Sequence, residues 1–104
     1  MGLSNEESKV CKEAVEIYGA DIQQMMAVEE MGELIQAISK KVRGLDHQAN
    51  IPEEIADVEI MLEQLKHIHK CHQSAKQYRR KKIMRLASYI EGERLKGQNS
   101  ESRS

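Results

Sequence analysis

The sequence contains no Phe and no Trp, and its aromatic side chains are three tyrosines. A core must therefore be assembled from Leu, Ile, Val, Met and Ala. A single proline and six methionines favour helices. No run of 18 apolar residues exists, and the N-terminus lacks a basic-then-apolar leader pattern, so neither a membrane span nor export is expected and the cytoplasm is the default location. Cysteine is scarce as well. Cys11 and Cys71 make no disulfide framework and are read as free thiols. At 104 residues the chain suffices for one domain, whose modest aliphatic core favours association with a second copy.

Charge of one sign is missing by segment. The formal net charge of −1 conceals an acidic stretch over 1–65, with 14 acids and 5 bases, and a basic stretch over 66–104, with 3 acids and 11 bases. No Lys or Arg occurs between Lys12 and Lys40, or between Arg43 and Lys66.

Hydrophobic periodicity predicts four helices and no strand. Ser4 and Glu7 have the Ser-x-x-Glu form of a capping box, and Gly19 supplies a stop. Asp21 is the expected cap of a second helix that runs to Gly44 and is apolar over much of its circumference, from Ile22 to Val42. Residues 45–49 read as a loop. Asn50, Pro52, Glu53 and Glu54 then provide a cap, an early proline and dipole-favoured acids for a third helix. A fourth is expected from about Ser74 to Ile90, before Gly92. The fold class is thus all-α, a four-helix bundle-like domain over 1–95 that forms oligomers, followed by a disordered tail over 96–104.

Chemistry concentrates on the second and third helices. Glu29, Glu30 and Glu33 form Glu-Glu-x-x-Glu, and Glu54 and Asp57 form Glu-x-x-Asp; residues three apart share a helix face. Carboxylates crowded at an apolar seam repel one another and lose hydration, and with no base nearby in the sequence a metal ion is the simplest compensation. Oxygen ligation selects hard ions such as Mg²⁺ or Mn²⁺, which suit phosphoanhydride hydrolysis.

The string Glu29-Glu30-Met31-Gly32-Glu33, followed after 20 intervening residues by Glu54-Ile55-Ala56-Asp57-Val58, resembles the signature of the MazG-like all-α nucleoside triphosphate pyrophosphohydrolases. The resemblance implies Mg²⁺-dependent conversion of a nucleoside triphosphate to the monophosphate and pyrophosphate. It makes Glu30, Glu33, Glu54 and Asp57 metal ligands, with Glu29 assisting. It also implies a homodimer or homotetramer. A relative acting on phosphoribosyl-ATP is the neighbouring alternative. Many members use an Asn in the last core helix, whereas this chain has no Asn between Asn50 and Asn99, and it has no Trp or Phe to stack on a base.

Residues 66–85 hold eight bases and no acid. Lys82 and Arg85, one turn apart, and Lys81 beside them are the candidate phosphate-binding residues. The same basic helix would also serve a helical adaptor or a nucleic-acid-binding protein, although nucleic acid is not the favoured partner. His67, His69, Cys71 and His72 lack a second Cys/His group to complete a zinc site and read as a polar helix end.

Overall fold

The computed structural model describes residues 2–45 and 49–103, with side chains to residue 98, so residues 46–48 of the loop read over 45–49 and the last tail residue, Ser104, lie outside the described residues. The chain is all-α: α1 (Asn5–Tyr18), α2 (Ala20–Val42), α3 (Ile51–His69) and α4 (His72–Arg103), with no strand among the described residues. No helix there is long and apolar enough to cross a membrane.

Local chemistry explains most helix ends. At α1 the capping box closes in both directions: Glu7 N–H donates to Ser4 Oγ at 3.1 Å and Ser4 N–H donates to Glu7 Oε1 at 2.8 Å. At α3 the Asn50 side chain accepts from Glu53 N–H at 3.3 Å, with Pro52 in the first turn. Lys70 ends α3 in the left-handed conformation, φ 51° and ψ 48°, returning its N–H to Lys66.

Two helix boundaries differ from the sequence reading. Asp21 does not cap α2. Gly19 alone separates α1 from α2, at φ 96°, where a side chain would be strained. It donates to the Val15 carbonyl behind it, and its own carbonyl accepts from Gln23 ahead, leaving Asp21 inside the first turn of α2. The second difference is in the tail. The helix passes Gly92 and continues through 96–103 where disorder was expected. A glycine stops a helix by turning left-handed, and among the described residues Gly19 and Gly44 are the glycines with positive φ. At Gly92 the penalty is the ordinary ~1 kcal/mol of a helical glycine. The pairs Arg94 with Glu91 at 3.7 Å and Lys96 with Glu93 at 3.4 Å give it modest support.

The chain divides into two compact units, Met1–Lys70 and Cys71–Ser104. In the first unit α1, α2 and α3 pack on one another, most extensively α2 on α3. The second unit is α4.

The core of the first unit is thin and partly polar. Cys11, Ala27, Ala37 and Met61 are its buried apolar residues, joined by Gln23, Glu63 and Gln64. Buried amides and carboxylates must be hydrogen-bonded or cost about 1–3 kcal/mol each, so their pairings fix how the helices align. Gln23 Nε2 donates to Gln64 Oε1 at 2.6 Å, locking α2 to α3. Ser8 Oγ donates to Glu63 Oε2 at 2.6 Å, and His67 Nε2 lies 3.0 Å from the Ser8 carbonyl and 3.2 Å from Glu63, tying α1 to α3. His67 is thus part of the α1–α3 contact. Cys11 is a buried free thiol, pushed above its ordinary pKa by burial and then by Glu63 and Glu7.

Many aliphatic positions expected to face inward remain exposed on this chain. Val28, Ile35, Ile38 and Val42 are 62%, 67%, 47% and 81% accessible. With Met31 they form a second stripe on α2 at alternating three- and four-residue spacing, about 21 Å long at 1.5 Å per residue.

Candidate metal centre

The inner face of α2 carries Gln23, Ala27, Glu30, Leu34 and Ala37, again at alternating spacings of four and three, and the facing stripe of α3 carries Glu54, Asp57, Met61 and Gln64. The helices run antiparallel. The alignment that joins Gln23 to Gln64 brings Glu33 opposite Glu54 and sets Glu30 level with Asp57, so Glu30, Glu54 and Asp57 lie at the α2–α3 seam through their stripe positions while Glu33, one residue before Leu34, is exposed at its edge.

Glu30, Glu33 and Glu54 each offer one oxygen such that all three lie within 4.8 Å of one another. Glu33 is exposed and the other two are half-buried. Oε2 of Glu30 and Oε2 of Glu54 are withdrawn from solvent and have no hydrogen-bond partner among the described residues. Burial pushes the Glu30 carboxyl above its usual range, and repulsion from Glu33, Asp57 and Glu54 adds to the shift. Burial likewise raises Glu54, with Glu33, Asp57 and Glu53 adding repulsion. Asp57 therefore acts on both through its field while standing outside the tight trio. Glu29 is exposed and is not one of the three.

Two buried carboxylate oxygens without hydrogen-bond partners among the described residues, held within reach of a third carboxylate, form a donor set that fits a hard divalent cation. All donors are oxygens, and no ion pair with a Lys or Arg occupies them among the described residues.

The raised carboxyls make a prediction for the metal-free protein. Between the ordinary carboxylate value and the raised ones, the folded chain binds more protons than the unfolded chain, so stability falls as pH climbs through that interval and returns on acidification into it. Melting in EDTA should show Tm rising as pH is lowered into the interval, with a shallower slope for Glu30→Gln. Identical slopes for wild type and variant would show that Glu30 titrates as it does in the unfolded chain.

A polar pocket of about 280 Å³ adjoins the trio, lined by Glu33 and Glu54 and continuing past Gln36 and Ala37 to Lys40 and Asn50. Sequence reasoning singled out neither Gln36 nor Lys40 for a site. The available signal was spacing: they follow Glu33 by three and seven residues and share its helix face. Lys81, Lys82 and Arg85, expected to bind phosphate, are exposed residues of α4 and belong to the second unit. Compared with protein-family models, curated proteins and solved structures, the chain matches none.

Proposed function

We propose that the α2–α3 carboxylates form the active site of a cytoplasmic nucleoside triphosphate pyrophosphohydrolase of MazG-like type that uses Mg²⁺ or Mn²⁺. The observation that carries this reading is the convergence of Glu30, Glu33 and Glu54 from the two motif halves, with one oxygen each on Glu30 and Glu54 that has no hydrogen-bond partner among the described residues. Solvated helix acids would spread apart to reduce repulsion; Glu30 and Glu54 are instead half-buried at the seam, with raised pKa values.

Glu30, Glu33 and Glu54 would hold the metal, with Asp57 across the seam completing the set and Glu29 assisting from the exposed flank. The divalent cation, when bound, supplies charge neutralisation for phosphate oxygens and acidifies water. The chain's own part is to position and to accept a proton. Water oxygen attacks the α-phosphorus, the bond from that phosphorus to the α–β bridging oxygen breaks, and pyrophosphate departs with the bond electrons. A carboxylate oxygen of the set takes the water proton. Phosphoribosyl-ATP presents the same triphosphate to the same groups and is the alternative substrate.

The second copy is part of the proposal. The exposed α2 stripe from Val28 to Val42 is long enough for two copies to pair along α2, and burying it would supply the apolar core that the three-helix unit lacks. A homodimer, or a tetramer built from two, is the expected state. Incubation of the full chain with Mg²⁺ and a panel of ribo- and deoxyribonucleoside triphosphates tests the catalytic reading: pyrophosphate should be released. Failure to release it from any of them, or from phosphoribosyl-ATP, overturns the reading.

A further inference from the structure

Among the described residues, one cationic side chain lines the pocket beyond the carboxylates. Lys40 lines it together with Gln36 from α2, while Ala37, buried and small, leaves room between α2 and the start of α3. The Asn50 amide is already committed: Oδ1 accepts from Glu53 N–H and Nδ2 donates to Glu53 Oε2 at 2.9 Å. Lys40 takes part in no ion pair among the described residues, whereas the nearby Arg43 donates to the Ser39 carbonyl at 3.3 Å. Lys40 is exposed and lines a polar pocket that also reaches Glu33 and Glu54, a position suited to an anion that arrives there with its own divalent ion.

Dimensions agree. Lys40 lies two turns from Glu33, about 10 Å along the helix axis at 1.5 Å per residue. Long side chains on a helix lean toward its N-terminus, which carries the Lys40 ammonium back toward Gln36 and Glu33. That places it about one or two phosphate units away from a phosphoryl group at the carboxylates. We propose that Lys40 binds the pyrophosphate end of the substrate, the β and γ phosphates, and so selects triphosphates over monophosphates; the role assigned from sequence to Lys81, Lys82 and Arg85 passes to a residue of the carboxylate unit itself. This rests on the hydrolase reading for its substrate but can be measured without turnover.

Inorganic pyrophosphate with Mg²⁺ is the probe. Titration calorimetry should show binding to wild type, binding weakened roughly 10- to 100-fold in Lys40→Ala, as expected for one charge-assisted contact, and largely retained binding in Lys40→Arg. Lys41→Ala, an exposed neighbour that does not line the pocket, should bind as wild type. In turnover, Lys40→Ala should raise KM for the triphosphate by a similar factor and change kcat less. Circular dichroism melts confirm that each variant is folded. Equal pyrophosphate affinity in wild type and Lys40→Ala, equal loss in Lys41→Ala, or no binding to wild type would overturn the assignment. Binding that depends on Lys40 in a protein that cleaves no triphosphate would uphold it and defeat the hydrolase reading.

Discussion

Replacing Glu33 by Gln is expected to reduce kcat/KM at least ~10²–10³-fold, the usual cost of deleting a group that stabilises transition-state charge, without lowering the melting temperature of the metal-free protein. The two halves of that expectation have one cause. Glu33 is the exposed member of the trio, and its charge repels both Glu30 and Glu54. A neutral amide of the same shape relieves this repulsion, so the folded state loses nothing in EDTA and gains stability at neutral pH. Added Mg²⁺ should stabilise wild type in proportion to its binding and stabilise Glu33→Gln much less. Asp57→Asn should follow the same pattern, since Asp57 also raises both half-buried carboxyls. Melting both variants with EDTA and with Mg²⁺, alongside activity, separates the roles: acids that hold the helices together would lower Tm when removed, and this result would move the cluster from function to structure.

Ile35→Glu should dissociate the assembly. Ile35 is 67% exposed on the single chain and stands at the middle of the α2 stripe between Val28 and Val42. In a two-fold interface each chain contributes the same stripe, so one substitution places two unpaired carboxylates in the buried seam. An unpaired buried charge costs about 3–5 kcal/mol, which weakens association by roughly 10²–10³-fold or more. Sedimentation velocity at micromolar concentration should find the wild type dimeric or tetrameric and Ile35→Glu monomeric, with a lower melting temperature because the thin core of Cys11, Ala27, Ala37 and Met61 is left alone. A monomeric wild type would show that the stripe is covered in another way.

The first unit was largely legible because its punctuation is local. Ser4 with Glu7 and Asn50 with Pro52 set helix starts through hydrogen bonds within three residues, so no tertiary information was required. The carboxylate motif was legible for a similar reason: Glu30 and Glu33, or Glu54 and Asp57, share faces by helical geometry alone. Their convergence depends on the α2–α3 alignment, which is fixed by Gln23 and Gln64, a buried amide pair that a hydropathy pattern reads as surface. Asp21 misled because a good capping residue stood two positions after a glycine that was itself the boundary. Periodicity also marks a position as apolar without saying what covers it, and this is why Val28, Ile35 and Val42 read as core and are exposed on the chain itself. Charge density in α4 directed the phosphate-binding expectation to Lys81, Lys82 and Arg85, whereas Lys40, followed by Lys41 and Arg43, reads in sequence as an ordinary basic helix end and is set apart from them by the pocket it lines.

The ³¹P NMR spectrum of a nucleoside triphosphate incubated with the protein and Mg²⁺ shows directly whether the α2–α3 carboxylates support pyrophosphohydrolysis. Cleavage at the α–β bridge predicts loss of the three triphosphate resonances and growth of a nucleoside monophosphate resonance and a pyrophosphate resonance of twice its area, absent with Glu33→Gln. Growth of diphosphate and orthophosphate, or unchanged spectra for every nucleotide and for phosphoribosyl-ATP, would contradict it.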